Sequence, residues 1–80
     1  MAKQSLQLYA QRTCGAVPRY RVLETYVHPL TTSFLVAAEL DERTFPGAWG
    51  SSKKEAERWA AWEALLVLRA EGAWDGRNAG

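Results

Sequence analysis

Two lysines, Lys53 and Lys54, directly follow the serine pair Ser51-Ser52 and precede Glu55. Ser52 and Glu55 stand three residues apart. At that spacing a serine hydroxyl accepts from the amide of the third residue, whose carboxylate reaches back to the serine amide. A helix therefore starts at Ser52, and the lysines fall on its first two positions. The positive end of the helix dipole disfavours a cation there by roughly 0.3–1 kcal/mol. Two ammonium groups beside unpaired amides form an anion site, and phosphate is the anion that calls for both. The alternative is a pair of solvated lysines balanced by Glu55 and Glu57.

A second set of polar groups lies near the N-terminus. Gln4, Gln7, Leu8 and Gln11 recur at the steps that make neighbours on one helix face. Their amides offer donors and acceptors without net charge, which suits the base edges and 2′-hydroxyls of a shallow RNA minor groove. A plain solvated helix face has the same composition. The single histidine, His28, lies in the aperiodic stretch Val27-His-Pro-Leu-Thr-Thr32, and either solvation or groove contact fits it.

Catalytic and metal chemistry finds no matching constellation. No Ser/His/Asp or Cys/His set is evident, and Cys14 is alone, so neither an internal disulfide nor a four-cysteine zinc site can form. Asp41-Glu42 reads as turn chemistry, because adjacent side chains on a strand and turn diverge. Gly47-Ala-Trp-Gly50 lacks the Gly-Lys-Ser/Thr ending of a phosphate-binding P-loop. It leaves a strand, whereas the Gly-x-x-Gly clamp for single-stranded nucleic acid is expected between helices. No enzyme activity, metal, cofactor or small-molecule ligand is expected.

These groups need elements to hold them. Leu6, Tyr9, Ala10 and Thr13 have helical spacing, with Gly15 as a stop and Pro18 beyond, so a first helix is predicted over 4–14. Arg19 to Thr25 alternates as a strand with Tyr20 and Val22 inward. Val27 to Thr32 then reads as a rather long hairpin loop. Phe34, Val36, Ala38 and Leu40 define the core face of a second strand, Asp41-Glu42 a tight turn, and Thr44-Phe-Pro46 a short third strand that Pro46 confines to an edge or makes irregular. In the last helix Ala56, Ala60, Ala61, Ala64, Leu65 and Leu68 form the inward face. The fold class is α+β, in the order α-β-β-β-α, with two helices packed on one face of a three-stranded antiparallel sheet. The domain covers 3–70; residues 71–80 read as a flexible tail, with Trp74 as the exception, and Trp74 or other tail residues folding back over the last helix is an alternative.

At this point the residues resemble a family. Gly50-x-Ser52-Lys-Lys-x-Ala56-x-x-x-Ala60-Ala-x-x-Ala64-Leu is similar to the last helix of double-stranded-RNA-binding domains. Lys-Lys-Glu-Ala-Glu looks closest to the domain that ends bacterial ribonuclease III, and Pro18-x-Tyr20-x-Val22 is similar to the family's first strand. The signature is fairly specific, since glycine, cap, lysine pair and small-residue face must all fall in register. The resemblance implies a non-catalytic domain that binds double-stranded RNA. Lys53 and Lys54, presented by the Ser52 cap, would hold phosphates across the major groove. Gln4, Gln7 and Gln11 would enter one minor groove, and the His28 loop the next.

Three residues depart from the family pattern. Leu8 stands where the family usually has glutamate and cannot accept from a 2′-hydroxyl. His28-Pro29 reverses the family's order, with Leu30 where the histidine would fall. Glu57 stands where many relatives carry a third lysine, although the ribonuclease III type often has glutamate there. All three bear on affinity rather than fold.

Bulk properties set the bounds. Eighty residues make one small domain, and 48% hydrophobic with 24% charged residues belongs to a folded chain. Net charge is only +1, so an RNA-binding reading rests on where the positive charge sits. No apolar run approaches the ~20 residues that span a bilayer, and no signal-peptide core is present. A cytoplasmic protein without membrane contact is expected, and the lone cysteine fits a reducing compartment. One feature exceeds what RNA binding needs: Trp59, Trp62 and Leu66 form a stripe opposite the alanine face. Such a stripe suits a homodimer or a protein partner, and a fold of this kind used for protein contacts is the competing reading.

Overall fold

The structure, a computed structural model, describes residues 1–76; residues 77–80 of the expected tail lie outside the described residues. Along the chain run α1 (Ala2–Thr13), β1 (Arg19–His28), β2 (Thr31–Leu40), β3 (Arg43–Thr44), β4 (Ala48–Gly50) and α2 (Lys53–Ala70). β2 is the centre of one antiparallel sheet, pairing with β1 on one side and with β3 and β4 on the other.

Small side chains decide how α2 sits. Ala56, Ala60, Ala61, Ala64 and Leu65 are fully buried, as are Ala37 and Ala38 of β2. Ala61, Ala64, Leu65 and Leu68 join Ala2, Leu6 and Ala10 of α1 and Ala38, Leu40 and Phe45 in the main core. Ala56 and Ala60 meet Val36 in a second cluster near the start of α2. The expected inward face of α2 is therefore the observed one. Gly50 is the tightest point: a Cβ there would come within 2.4 Å of the Ala56 backbone nitrogen.

α1 differs from expectation in phase. It starts at Ala2, and its buried residues are Ala2, Ser5, Leu6 and Ala10. Tyr9 is only partly buried and Thr13 is exposed, because the stripe that meets α2 lies toward the helix N-terminus. Gly15, at φ +64, ends this segment as its position predicts.

The long hairpin loop expected between Val27 and Thr32 is a two-residue turn, Pro29-Leu30. Val27 pairs with Thr32 and His28 with Thr31, so both strands extend to the turn. β-branched Val27, Thr31 and Thr32 favour extended backbone, and the Leu30 amide donates to His28 Nδ1 at 3.1 Å across the turn. Val22, expected to point inward, is 42% exposed. β1 is an edge strand, and its register shifts between Val22 and Glu24. Tyr20 is the β1 residue that packs against both core clusters.

The third strand is broken as Pro46 requires. β3 and β4 both pair with β2, and between them Phe45 turns its side chain into the core while its amide donates to the Ala38 carbonyl at 2.9 Å. The Asp41-Glu42 turn is tight, with Asp41 at φ 54. After α2, Gly72 at φ +77 turns the chain, and the amides of Ala73 and Trp74 both donate to the Leu68 carbonyl. Arg43 pairs with Glu71, and Trp74 packs on the main core, so residues 71–74 are tied to the domain. Among the described residues no helix is long and apolar enough to cross a membrane.

The approach at Gly50 is backbone against backbone, and no rotamer change can relieve a clash there. Gly50→Ala is expected to cost about 3 kcal/mol and to lower the melting temperature by roughly 12–24 °C, at about 4–8 °C per kcal/mol for a domain of this size. A thermal melt followed by circular dichroism measures it; an unchanged midpoint would show that α2 does not rest where described.

Candidate nucleic-acid interface

The start of α2 carries the predicted cap. Ser52 is extended, and its Oγ accepts from the Glu55 amide at 3.1 Å. The reciprocal contact falls one residue earlier than expected. Glu55 Oε1 accepts from the Ser51 amide at 3.0 Å and from Ser51 Oγ at 3.3 Å. Ser51 offers the carboxylate two donors where Ser52 would offer one. Lys53 and Lys54 are exposed at this end. Lys53 Nζ lies 5.8 Å from the centre of the Phe34 ring, and Lys54 lines a groove with Met1, Ala2, Lys3, Ser52, Glu55 and Arg58. The groove, about 370 Å³, separates the first turn of α1 from the first turns of α2.

The two helices run in the same direction. Lys3 near the start of α1 reaches Glu57, while Tyr9 and Cys14 share a depression with Leu68 near the end of α2. The glutamine ridge thus begins beside the lysine pair. Gln4, Gln7 and Gln11 are exposed, and Leu8 among them is partly buried. Lys3 Nζ donates to Glu57 Oε1 at 2.6 Å and also lies 4.9 Å from the centre of the Tyr20 ring. Glu57, half-buried, is therefore engaged by α1 instead of standing free. Burial first, and then the nearby Glu57 carboxylate, push the Tyr20 phenol up to about 12. Nothing in the sequence marks Lys3, whose partner is 54 residues away. Arg58 had a signal, since it follows Lys54 at i+4 on the same helix face.

His28 closes the β1–β2 hairpin. Its ring stacks on Tyr26 at 6.4 Å, and Nδ1 accepts from the Leu30 amide, so in the neutral ring the proton sits on Nε2 as an outward donor. Leu30 at the tip is 89% exposed. Phe34 pairs with Gly50, just ahead of the α2 cap, and the turn ends at Leu30, four residues before Phe34 and roughly 13 Å along the strand. The lysine pair, the groove and the hairpin thus share one end of the sheet. Trp59, Trp62 and Leu66 are not part of this set. They stay 49%, 41% and 51% exposed on the opposite side of α2, while Trp74 packs on the core. Among the described residues no group of three His, Cys, Asp or Glu could hold a metal ion.

The sequence family described as "Double-stranded RNA binding motif" matches residues 2–68. The chain belongs to this family. As a double-stranded RNA-binding domain it also has relatives among bacterial enzymes. It is 41% identical over 66 residues to Ribonuclease 3 of Rhodopirellula baltica, covering 82% of this chain and 25% of that protein. With Ribonuclease 3 of Nitratiruptor sp. it shares 40% identity over 68 residues, covering 85% and 30%. With that of Campylobacter fetus subsp. fetus it shares 38% over 63 residues, covering 79% and 28%. The chain thus spans between 25% and 30% of the length of these curated relatives. The motif that the chain matches is described as one that binds double-stranded RNA.

Tyr20 gives the packing around Glu57 a spectroscopic handle. Its phenol holds its proton to about pH 12 in the folded chain, against an ordinary value of 10. Below pH 10 folded and unfolded chains both keep that proton, so this group leaves stability unchanged there; between about 10 and 12 the unfolded chain gives it up first and stability falls. An absorbance titration at 295 nm should show a late tyrosine step that Tyr20→Phe removes. Persistence of that step in the variant would contradict the assignment.

Proposed function

We propose that the domain reads duplex RNA by shape and largely without regard to sequence. Lys53 and Lys54, with Arg58, hold phosphates across the deep major groove, whose base edges no side chain reaches. Gln4, Gln7 and Gln11 exchange hydrogen bonds with 2′-hydroxyls and base edges of one minor groove, and the hairpin brings the His28 Nε2 donor and Leu30 to the next. Such a footprint covers about 16 base pairs. The observation that carries this reading is the groove in which Lys54 and Arg58 of α2 meet the first turn of α1, from which the glutamine ridge runs. The domain has no catalytic activity of its own. In a longer chain of the kind its relatives have, it would hold the duplex while another segment did the chemistry.

Three or four phosphate contacts imply a slope of roughly −3 in log affinity against log salt, with each lysine removed flattening it by about 1. Lys53→Ala with Lys54→Ala should weaken RNA binding by tenfold or more and leave the fold intact. Gel shifts with duplex RNA, duplex DNA and an RNA–DNA hybrid test the shape dependence. A binding curve flat from low to high salt, or equal affinity for DNA, would be incompatible with this reading.

A second reading rests on the exposure of Trp59, Trp62 and Leu66. Apolar surface of this kind suits a second copy or a protein partner. Size exclusion with light scattering at rising concentration should show a mass above 9.0 kDa if copies associate through it, and Trp62→Glu should restore the monomer. A strict monomer at high concentration rules self-association out.

A further inference from the structure

We infer that Glu57 is a positioning residue: its ion pair with Lys3 fixes the first turn of α1 along α2, and so sets the distance from the glutamine ridge to the lysine pair. The inference rests on the RNA reading above and assigns Glu57 a part in it that is not contact with RNA.

The argument starts from what else joins the two helices. α1 meets α2 through Ala2, Leu6 and Ala10 against Ala61, Ala64, Leu65 and Leu68. Apolar contact is non-directional, and in this contact only Leu6, Leu65 and Leu68 project beyond a methyl group. A charged hydrogen bond does have a direction, and a polar pair at the margin of an apolar contact can fix its register. Lys3 Nζ is held from two sides, by Glu57 Oε1 at 2.6 Å and by the face of the Tyr20 ring at 4.9 Å. Residues from α1, β1 and α2 thus converge on one ammonium group at the end of the domain where the lysine pair stands. Minor-groove and phosphate contacts on a rigid duplex have a fixed separation, and displacements of about 0.5 Å already degrade a prearranged site.

Charge alone makes the opposite prediction for Glu57. Its carboxylate lies on the same end of α2 as Lys53, Lys54 and Arg58, so removing it raises the local positive field and frees Lys3 for the phosphates. The direction of the effect therefore separates the two roles. The pair is partly exposed, at 41% and 31%, which limits its strength; losing it should weaken binding about threefold.

The experiment measures duplex-RNA affinity of the full 80-residue chain for wild type, Glu57→Ala, Glu57→Lys and the exchanged pair Lys3→Glu/Glu57→Lys, at a temperature where circular dichroism shows every variant folded. Glu57→Ala and Glu57→Lys are expected to bind about threefold more weakly despite their added positive charge, and the exchanged pair, with wild-type net charge, to recover. In the Glu57→Ala background Gln7→Ala should cost less than in wild type, because the ridge no longer engages in step with the lysines. Equal or tighter binding by Glu57→Ala, or failure of the exchanged pair to recover, overturns the positioning role and leaves the RNA reading standing. If wild type itself does not bind the duplex, the RNA reading falls and takes this inference with it.

Discussion

The distance between α2 and the sheet is the constraint on which the rest of this molecule depends. Ala56, Ala60, Ala61 and Ala64 present nothing beyond a methyl group, and β2 answers with Val36 and Ala38. The closest point is Gly50, three residues before α2 begins. Here the chain must leave a strand paired to β2, turn through Ser51 and Ser52, and enter a helix lying directly on that strand's end. A larger side chain at Gly50 would push the helix start away and take the cap, both lysines and the groove beside α1 with it. Small residues here set the position of the charged ones.

Low net charge and nucleic-acid binding are compatible because the charges are sorted. At one end of the sheet Arg43 is paired with Glu71 and Arg21 with Glu39. At the other, Lys53, Lys54 and Arg58 gather around the start of α2, with Lys3 across the groove. A duplex responds to the local field over a few ångströms to a Debye length, not to the sum over the chain. Glu55 and Glu57 are the acids within this cluster: the cap at Ser51 and Ser52 engages Glu55, and Lys3 engages the half-buried Glu57.

How much of this was legible in the sequence depended on whether the determining contact is local. The α2 cap, the alanine face, the stop at Gly15, the Asp41-Glu42 turn and the break at Pro46 were all readable, because each follows from one residue's backbone preference or from a period within one element. The hairpin is tighter than its sequence implies: Pro29 hides the fact that Val27 and Thr32 pair with each other, and cross-strand pairing is not visible in either strand alone. Thr13 and Val22 fit an inward pattern but lie where no neighbour covers them, one at the far end of α1 and one beside a register shift on an edge strand. Lys3 and Glu57 could not be joined from sequence at all, since only the tertiary fold brings them together.

The broken third strand and the shifted β1 also govern how copies of the domain behave when crowded. A straight, unpaired strand margin is a template on which foreign backbone polymerises. On one flank β3 and β4 are only two and three residues long, with a proline lacking its N–H between them; on the other the irregularity near Leu23 interrupts the ladder of β1. Neither flank offers the unbroken hydrogen-bonding ledge that fibril growth needs, so edge-to-edge stacking of copies is disfavoured.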